Sequence, residues 1–117
     1  MEDDFRLRVV FFRTAPGAEP VREWLKELER SDRKTIGEDI KTVQFGWPIG
    51  LPLVRKIDSE LWEVRCQLHR RIARVIFTIQ HDVMILLHGF IKKSQKTPTS
   101  ELSTSRNRLK QFKDQAS

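Results

Sequence analysis

The chain has 117 residues, with 22 Lys+Arg against 16 Asp+Glu, a formal charge of +6. That length predicts one domain over residues 1–117, and 38% hydrophobic residues suffice for a modest core, so wholesale disorder is not expected. A single cysteine, Cys66, excludes an intramolecular disulfide framework and a Cys-rich zinc site, and no apolar run approaches the ~20 residues of a membrane span.

The opening Met1-Glu2-Asp3-Asp4 is acidic, the wrong sign for a signal peptide, so a cytoplasmic protein is expected. Residues 5–12 alternate and then turn wholly apolar, which predicts a strand buried on at least one face. Thr14-Ala15-Pro16-Gly17 breaks it, and Pro20 sits where a first-turn proline opens a helix. Val21, Trp24, Leu25 and Leu28 follow the spacing of one helical face. Ser31-Asp32 offers a cap for a second helix with Ile36, Ile40 and Val43 inward; Gly37 weakens it, and Gly46 with Pro48 ends it. The two helices should form a short hairpin. Residues 61–68, 72–79 and 83–91 then read as a three-stranded meander. Thr97-Pro98 opens a last helix with Leu102, Leu109 and Phe112 on its apolar side. The order is β-α-α-β-β-β-α, an α+β domain with helices packed on an antiparallel sheet.

A two-residue turn at His69-Arg70 sets Trp62 against Phe77, Val64 against Val75 and Cys66 against Ala73. A one-residue slip would mix that apolar face. On the other face Arg65 lies opposite Arg74. With Gln80-His81-Asp82 as the next loop, His88 falls beside Arg74 and Phe90 beside Ile72, giving an Arg65–Arg74–His88 row that Lys92 extends. Like charges directly opposite destabilise a sheet. Either an anion gripped by guanidinium forks accounts for the pair, or Glu63, diagonal to Arg74, neutralises it as a structural salt bridge. Relief of that repulsion predicts that Arg65→Ala and Arg74→Ala each leave the fold intact or slightly more stable. His88 reads either as a hydrogen-bonded sheet residue or as an acid–base group. His69 and His81 fall in turns, and the three histidines lack metal-ligand spacing, so no metal and no cofactor are expected. Cys66, Trp24 and Trp62 read as core. Residues 1–50 carry 9 basic and 10 acidic side chains, a net of −1; residues 51–117 carry 13 and 6, a net of +7. That basic half can steer an anionic partner.

Leu53-Val54-Arg55-Lys56-Ile57 followed by Leu61-Trp62-Glu63-Val64-Arg65 resembles the HigB-like branch of the RelE toxin superfamily. Arg74-Val75-Ile76-Phe77 and Leu87-His88-Gly89-Phe90-Ile91-Lys92-Lys93-Ser94-Gln95-Lys96-Thr97-Pro98 carry the resemblance further, and it extends over nearly the whole chain. It implies a bacterial or phage type II toxin that cleaves mRNA on the ribosome without a metal and is silenced by a cognate antitoxin. Such an antitoxin would be a helix-turn-helix protein with an acidic covering segment. Carried over by motif, Arg65 and Arg74 would clamp the scissile phosphate, while Lys92 and Lys93 would stabilise the transition state or protonate the leaving oxygen. Arg55, Lys56, Arg71, Phe90, Gln95 and Lys96 would hold flanking RNA.

One feature departs from the superfamily pattern. Many members place a tyrosine in the active site; this chain has no Tyr, and Ala73 stands where relatives often carry an aromatic. The proton acceptor then falls to His88 or to a lysine of lowered pKa. Two other functions stay open: a ParE-like toxin that poisons DNA gyrase, and a non-catalytic basic module binding RNA or a partner protein.

Overall fold

The computed structural model describes residues 6–92 and 97–116. The expectations placed on residues 1–5, and on Lys93, Gln95 and Lys96, lie outside them. The first strand, β1, is Arg8–Phe11. Helix α1, Pro20–Lys26, opens on the proline, whose fixed φ and missing N–H suit a first helical turn. Helix α2, Arg30–Gly46, buries Ile36, Ile40 and Val43 on one side. It starts one residue before the Ser31-Asp32 expected to cap it, so Asp32 lies within the first turn and is buried there.

Four strands follow: β2 Val54–Asp58, β3 Leu61–Leu68, β4 Arg71–Gln80 and β5 Val83–Lys92; helix α3 runs Thr99–Ala116. The sheet order is β1-β5-β4-β3-β2, with β1 parallel to β5 and every other pair antiparallel. The α+β class and the meander are as expected, and the parallel β1 closes one edge. The expected order lacks β2. That strand is short and forms the other edge, and only Val54 in it is buried, so its Val-Arg-Lys-Ile-Asp alternation carries too little apolar signal to stand out.

The helices cover both faces of the sheet. Against one face, Val21, Ile36, Ile40 and Val43 of α1 and α2 pack on Val64, Cys66, Val75, Phe77 and Leu86. Against the other, Leu109 with Leu102 and Phe112 of α3 packs on Leu61, Ile76, Ile85, Leu87 and Phe90. Gly89 is required by the first layer: a Cβ there would run into Cε3 and Cζ3 of the Trp24 indole and lie 2.9 Å from its Cδ2. Non-glycine residues in the left-handed region, Glu60, Arg70 and His81 with φ near +60°, mark the three tight turns of the meander.

The β3–β4 register is the one expected, with Arg65 paired to Arg74 and Cys66 to Ala73. The β4–β5 register is not. The turn is His81-Asp82 alone, so Gln80 pairs with Val83, and a bulge opposite Ile76/Phe77 shifts the ladder by one more residue. Beyond it Ile76 pairs with His88, Arg74 with Phe90 and Ile72 with Lys92. The expected Arg65–Arg74–His88 row is therefore an Arg65–Arg74–Phe90 row. Two successive one-residue shifts return His88, Phe90 and Lys92 to the expected face.

Candidate functional site

The second face holds Arg55, Arg65, Arg74, His88 and Lys92, and α3 packs against it; Lys56 and Arg71 lie on the other face. At the centre is Glu63, fully buried on β3. Its Oε1 accepts from Arg74, itself 1% exposed, and lies 3.4 Å from Nη2 of Arg55, its neighbour across β2–β3. Its Oε2 accepts from the Thr97 hydroxyl at 2.9 Å. One carboxylate thus faces two arginines directly, with Arg65 on the adjacent ladder position of the same sheet face.

This arrangement decides the Arg65–Arg74 question in part. Glu63 neutralises Arg74, as the salt-bridge reading required. Burial lowers the Arg74 pKa, Glu63 raises it, and Arg65 and Arg55 lower it again. Arginine still carries its charge under such conditions, so the cluster holds three guanidinium charges against one carboxylate. The Nε atoms of both Arg65 and Arg74 are buried without a hydrogen-bond partner. The anion reading retains the surplus: Arg65 is half-buried and Arg55 is 40% exposed at the rim. A cleft of about 300 Å³, lined by Arg55, Lys56, Ile57, Thr97 and Leu102, opens beside them. Lys56 holds its ammonium over the Trp62 ring, 5.4 Å from the centroid.

His88 is placed differently from the expectation. Its Nε2 is 2.6 Å from Glu101 Oε1 and its Nδ1 is 3.1 Å from Arg108 Nη1. Arginine can only donate, so Nδ1 is the acceptor and Nε2 carries the proton given to Glu101. Both nitrogens are thereby used in a clamp between β5 and α3, and the side chain is 15% exposed. Arg108 also donates to the Leu87 carbonyl at 2.9 Å, which caps the bulge; its burial lowers its pKa. The clamp partners sit 13 and 20 residues downstream on a helix whose facing the sequence does not fix, so no local signal reveals them.

The remaining expected residues divide. Phe90 is 7% exposed, stacked on His88 at 5.6 Å between centroids and buried under α3. Arg71 donates to buried Asp32 and ties the β3–β4 turn to α2. Lys92 lies opposite Ile72 on the same sheet face as Arg65 and Arg74. Cys66 is buried among the apolar residues, and burial drives its thiol pKa far up, so it is not a thiolate nucleophile. Among the described residues no group of three His, Cys, Asp or Glu side chains could hold a metal ion, and no helix is long and apolar enough to cross a membrane.

A comparison with curated proteins finds no match. The family model described as phage derived protein Gp49-like (DUF891) matches residues 23–110, from α1 through the sheet to α3, so the arginine cluster and the His88 clamp both fall inside it. The chain therefore belongs to the phage-derived Gp49-like family, a RelE-like family associated with toxin–antitoxin systems.

Proposed function

We propose that this protein is the toxin of a type II toxin–antitoxin pair and that it cuts mRNA, on the ribosome, by metal-independent attack of a ribose 2′-OH on the adjacent phosphate. The observation that carries the reading is the surplus of guanidinium charge around one buried carboxylate, spread over β2, β3 and β4 in the basic half of the chain. A phosphodiester entering beside Arg65 and Arg55 meets rigid forks that match its oxygens. The charge that builds on the phosphorane is then offset by groups already in place, which is how such sites lower a barrier. Arg74 and Glu63 set the position of those forks rather than touching the substrate.

Lys92 and Lys93 stabilise the transition state and protonate the leaving oxygen. The proton acceptor is a lysine of this pair, because both His88 nitrogens are committed to Glu101 and Arg108. Lys56, Gln95 and Lys96 hold flanking RNA, while Arg71 and Phe90 support the fold behind it. The cognate antitoxin covers the arginine cluster with an acidic segment, excluding the phosphate backbone by charge as well as bulk.

Induced expression without a partner tests the reading. Growth should stop, with transcripts cut inside translated regions, and co-expression of a cognate antitoxin should restore both. Arrest with intact transcripts and broken DNA would move the assignment to a gyrase poison of the ParE type. Normal growth with cleavage absent in extracts would leave a non-catalytic basic module.

A further inference from the structure

A second cleft lies on the other side of Arg65. It has a volume of about 410 Å³, within the range of small-molecule sites, and is lined by Thr35 and Asp39 of α2, by Leu53, and by Arg65, Gln67 and Ile72 of the sheet. It exists because β2 begins opposite Val64, which leaves the outer edge of β3 uncovered from Arg65 onward. Arg65 donates its main-chain N–H across that edge to the Leu53 carbonyl at 2.8 Å. The period of two along a strand turns the main-chain N–H and C=O of Gln67 to the same open edge.

Asp39 is the unexplained group. It is half-buried, and its carboxyl accepts from the Cys66 thiol. Burial raises its pKa, the thiol bond lowers it and Glu38 raises it again, and among the described residues no Lys, Arg or His forms an ion pair with it. A half-buried carboxylate held by a neutral thiol, beside main-chain donor and acceptor groups and between apolar Leu53 and Ile72, needs a neutral ligand rich in N–H groups. The proposed function puts an RNA phosphate on Arg65, at the wall of this same cleft.

Resting on that reading, we infer that the cleft takes the nucleobase next to the clamped phosphate, and that Asp39 selects guanine. Guanine presents a ring N–H and an exocyclic amine side by side for one carboxylate, and its O6 offers an acceptor to the Gln67 main-chain N–H. Uracil lacks the amine, and its ring N–H lies between two carbonyl oxygens that a carboxylate repels. Asp39 is a specificity residue and takes no part in the bond-breaking step.

The test uses fluorescein-labelled hexauridylates with 2′-O-methyl sugars, which cannot be cleaved, carrying guanosine, inosine or xanthosine at one central position. Anisotropy at low salt should show the guanosine hexamer binding about fivefold or more tighter than hexauridylate, the lower end expected for a bidentate base contact. Inosine, lacking the amine, should lose most of that gain. In Asp39→Asn the amide donates where the carboxylate accepted, so the preference should pass from guanosine to xanthosine while the melting temperature stays within a few degrees. Equal binding of all hexamers by the wild type, or a guanosine preference that survives Asp39→Asn, overturns the base pocket and leaves the nuclease reading intact. If no hexamer binds even at low salt, the base pocket falls, while the nuclease reading stands or falls separately on cleavage of mRNA on translating ribosomes.

Discussion

Glu63→Ala would remove the one carboxylate among the described residues that pairs with Arg74 and Arg55. Arg74 is 1% exposed, so its charge would stay buried without a counterion. Breaking a buried pair from one side costs about 3–5 kcal/mol. With an unfolding entropy of ~2.1 cal/mol/K per residue, a chain of 117 residues loses about 4 °C of Tm per kcal/mol, hence about 12–20 °C. Glu63→Gln keeps one acceptor oxygen for Arg74 and turns its amide N–H to the Thr97 hydroxyl, which can accept it, but loses the charge, and should fall by roughly half as much. Arg74→Met should also destabilise, because it strands the Glu63 carboxylate. This reverses the expectation drawn from the Arg65–Arg74 pair alone, in which removing Arg74 relieves repulsion. The double variant Glu63→Leu/Arg74→Met takes both charges out together, and buried pairs replaced by apolar side chains are often neutral. Its Tm should therefore lie well above that of either single variant. Thermal and urea melts of the wild type, Glu63→Leu, Arg74→Met and the double variant give the coupling as a double-mutant cycle. Strictly additive losses, or a Glu63→Ala loss below about 1 kcal/mol, would refute a charge-coupled buried pair.

Gly89→Ala should lower stability by about 1–3 kcal/mol, read by urea melts, since its Cβ must displace Trp24 and with it α1. Asp58 bonded to Arg106 at 2.5 Å and Glu60 bonded to Lys113 at 2.6 Å hold α3 to the β2–β3 turn. Those bonds lower both carboxyl pKa values, from 3.8 for Asp58 and 4.5 for Glu60. Their support is present above those ordinary values and is lost as pH falls through the lowered ones, so the protection of α3 amides, relative to their intrinsic exchange rate at each pH, should fall in acid and also in high salt. The rate of RNA cleavage should rise only above about pH 8 if a lysine takes the 2′ proton, and loss of activity in His88→Gln at unchanged stability would instead return that role to His88.

Apart from β2, the order of elements was legible, and so was the β3–β4 pairing, because the apolar alternation from Trp62 to Cys66 meets a matching one from Ala73 to Phe77 across a two-residue turn. The β4–β5 pairing was not. Met84 to Leu87 is a continuous apolar run, in which one bulged residue leaves no trace, and both Leu87 and His88 turn to α3. Glu63 was visible as a partner of Arg74, yet its complete burial was not, because polar alternation looks the same whether water or a helix covers it. The covering helix also supplies Glu101 and Arg108, which convert His88 from an open candidate into a clamp. Asp32 reads locally as a helix cap; its bond to Arg71 spans 39 residues and depends on where α2 crosses the sheet. The cleft beside Asp39 arises from where β2 begins, a boundary that short edge strands do not announce.

The central claim concerns Arg65, whose half-buried guanidinium has no hydrogen-bond partner at Nε and borders the arginine cluster. Purified wild-type protein and Arg65→Ala should be incubated with translating ribosomes and a defined mRNA in the presence of a chelator of divalent ions sufficient for free metal but not for ribosome dissociation. The cut ends should then be characterised chemically. The account predicts fragments bearing 2′,3′-cyclic phosphate and 5′-hydroxyl ends from the wild type, and a loss of at least about a hundredfold in rate for Arg65→Ala at nearly unchanged Tm. Intact mRNA with the wild type, 5′-phosphate ends, or an Arg65→Ala variant as fast as the wild type would contradict it.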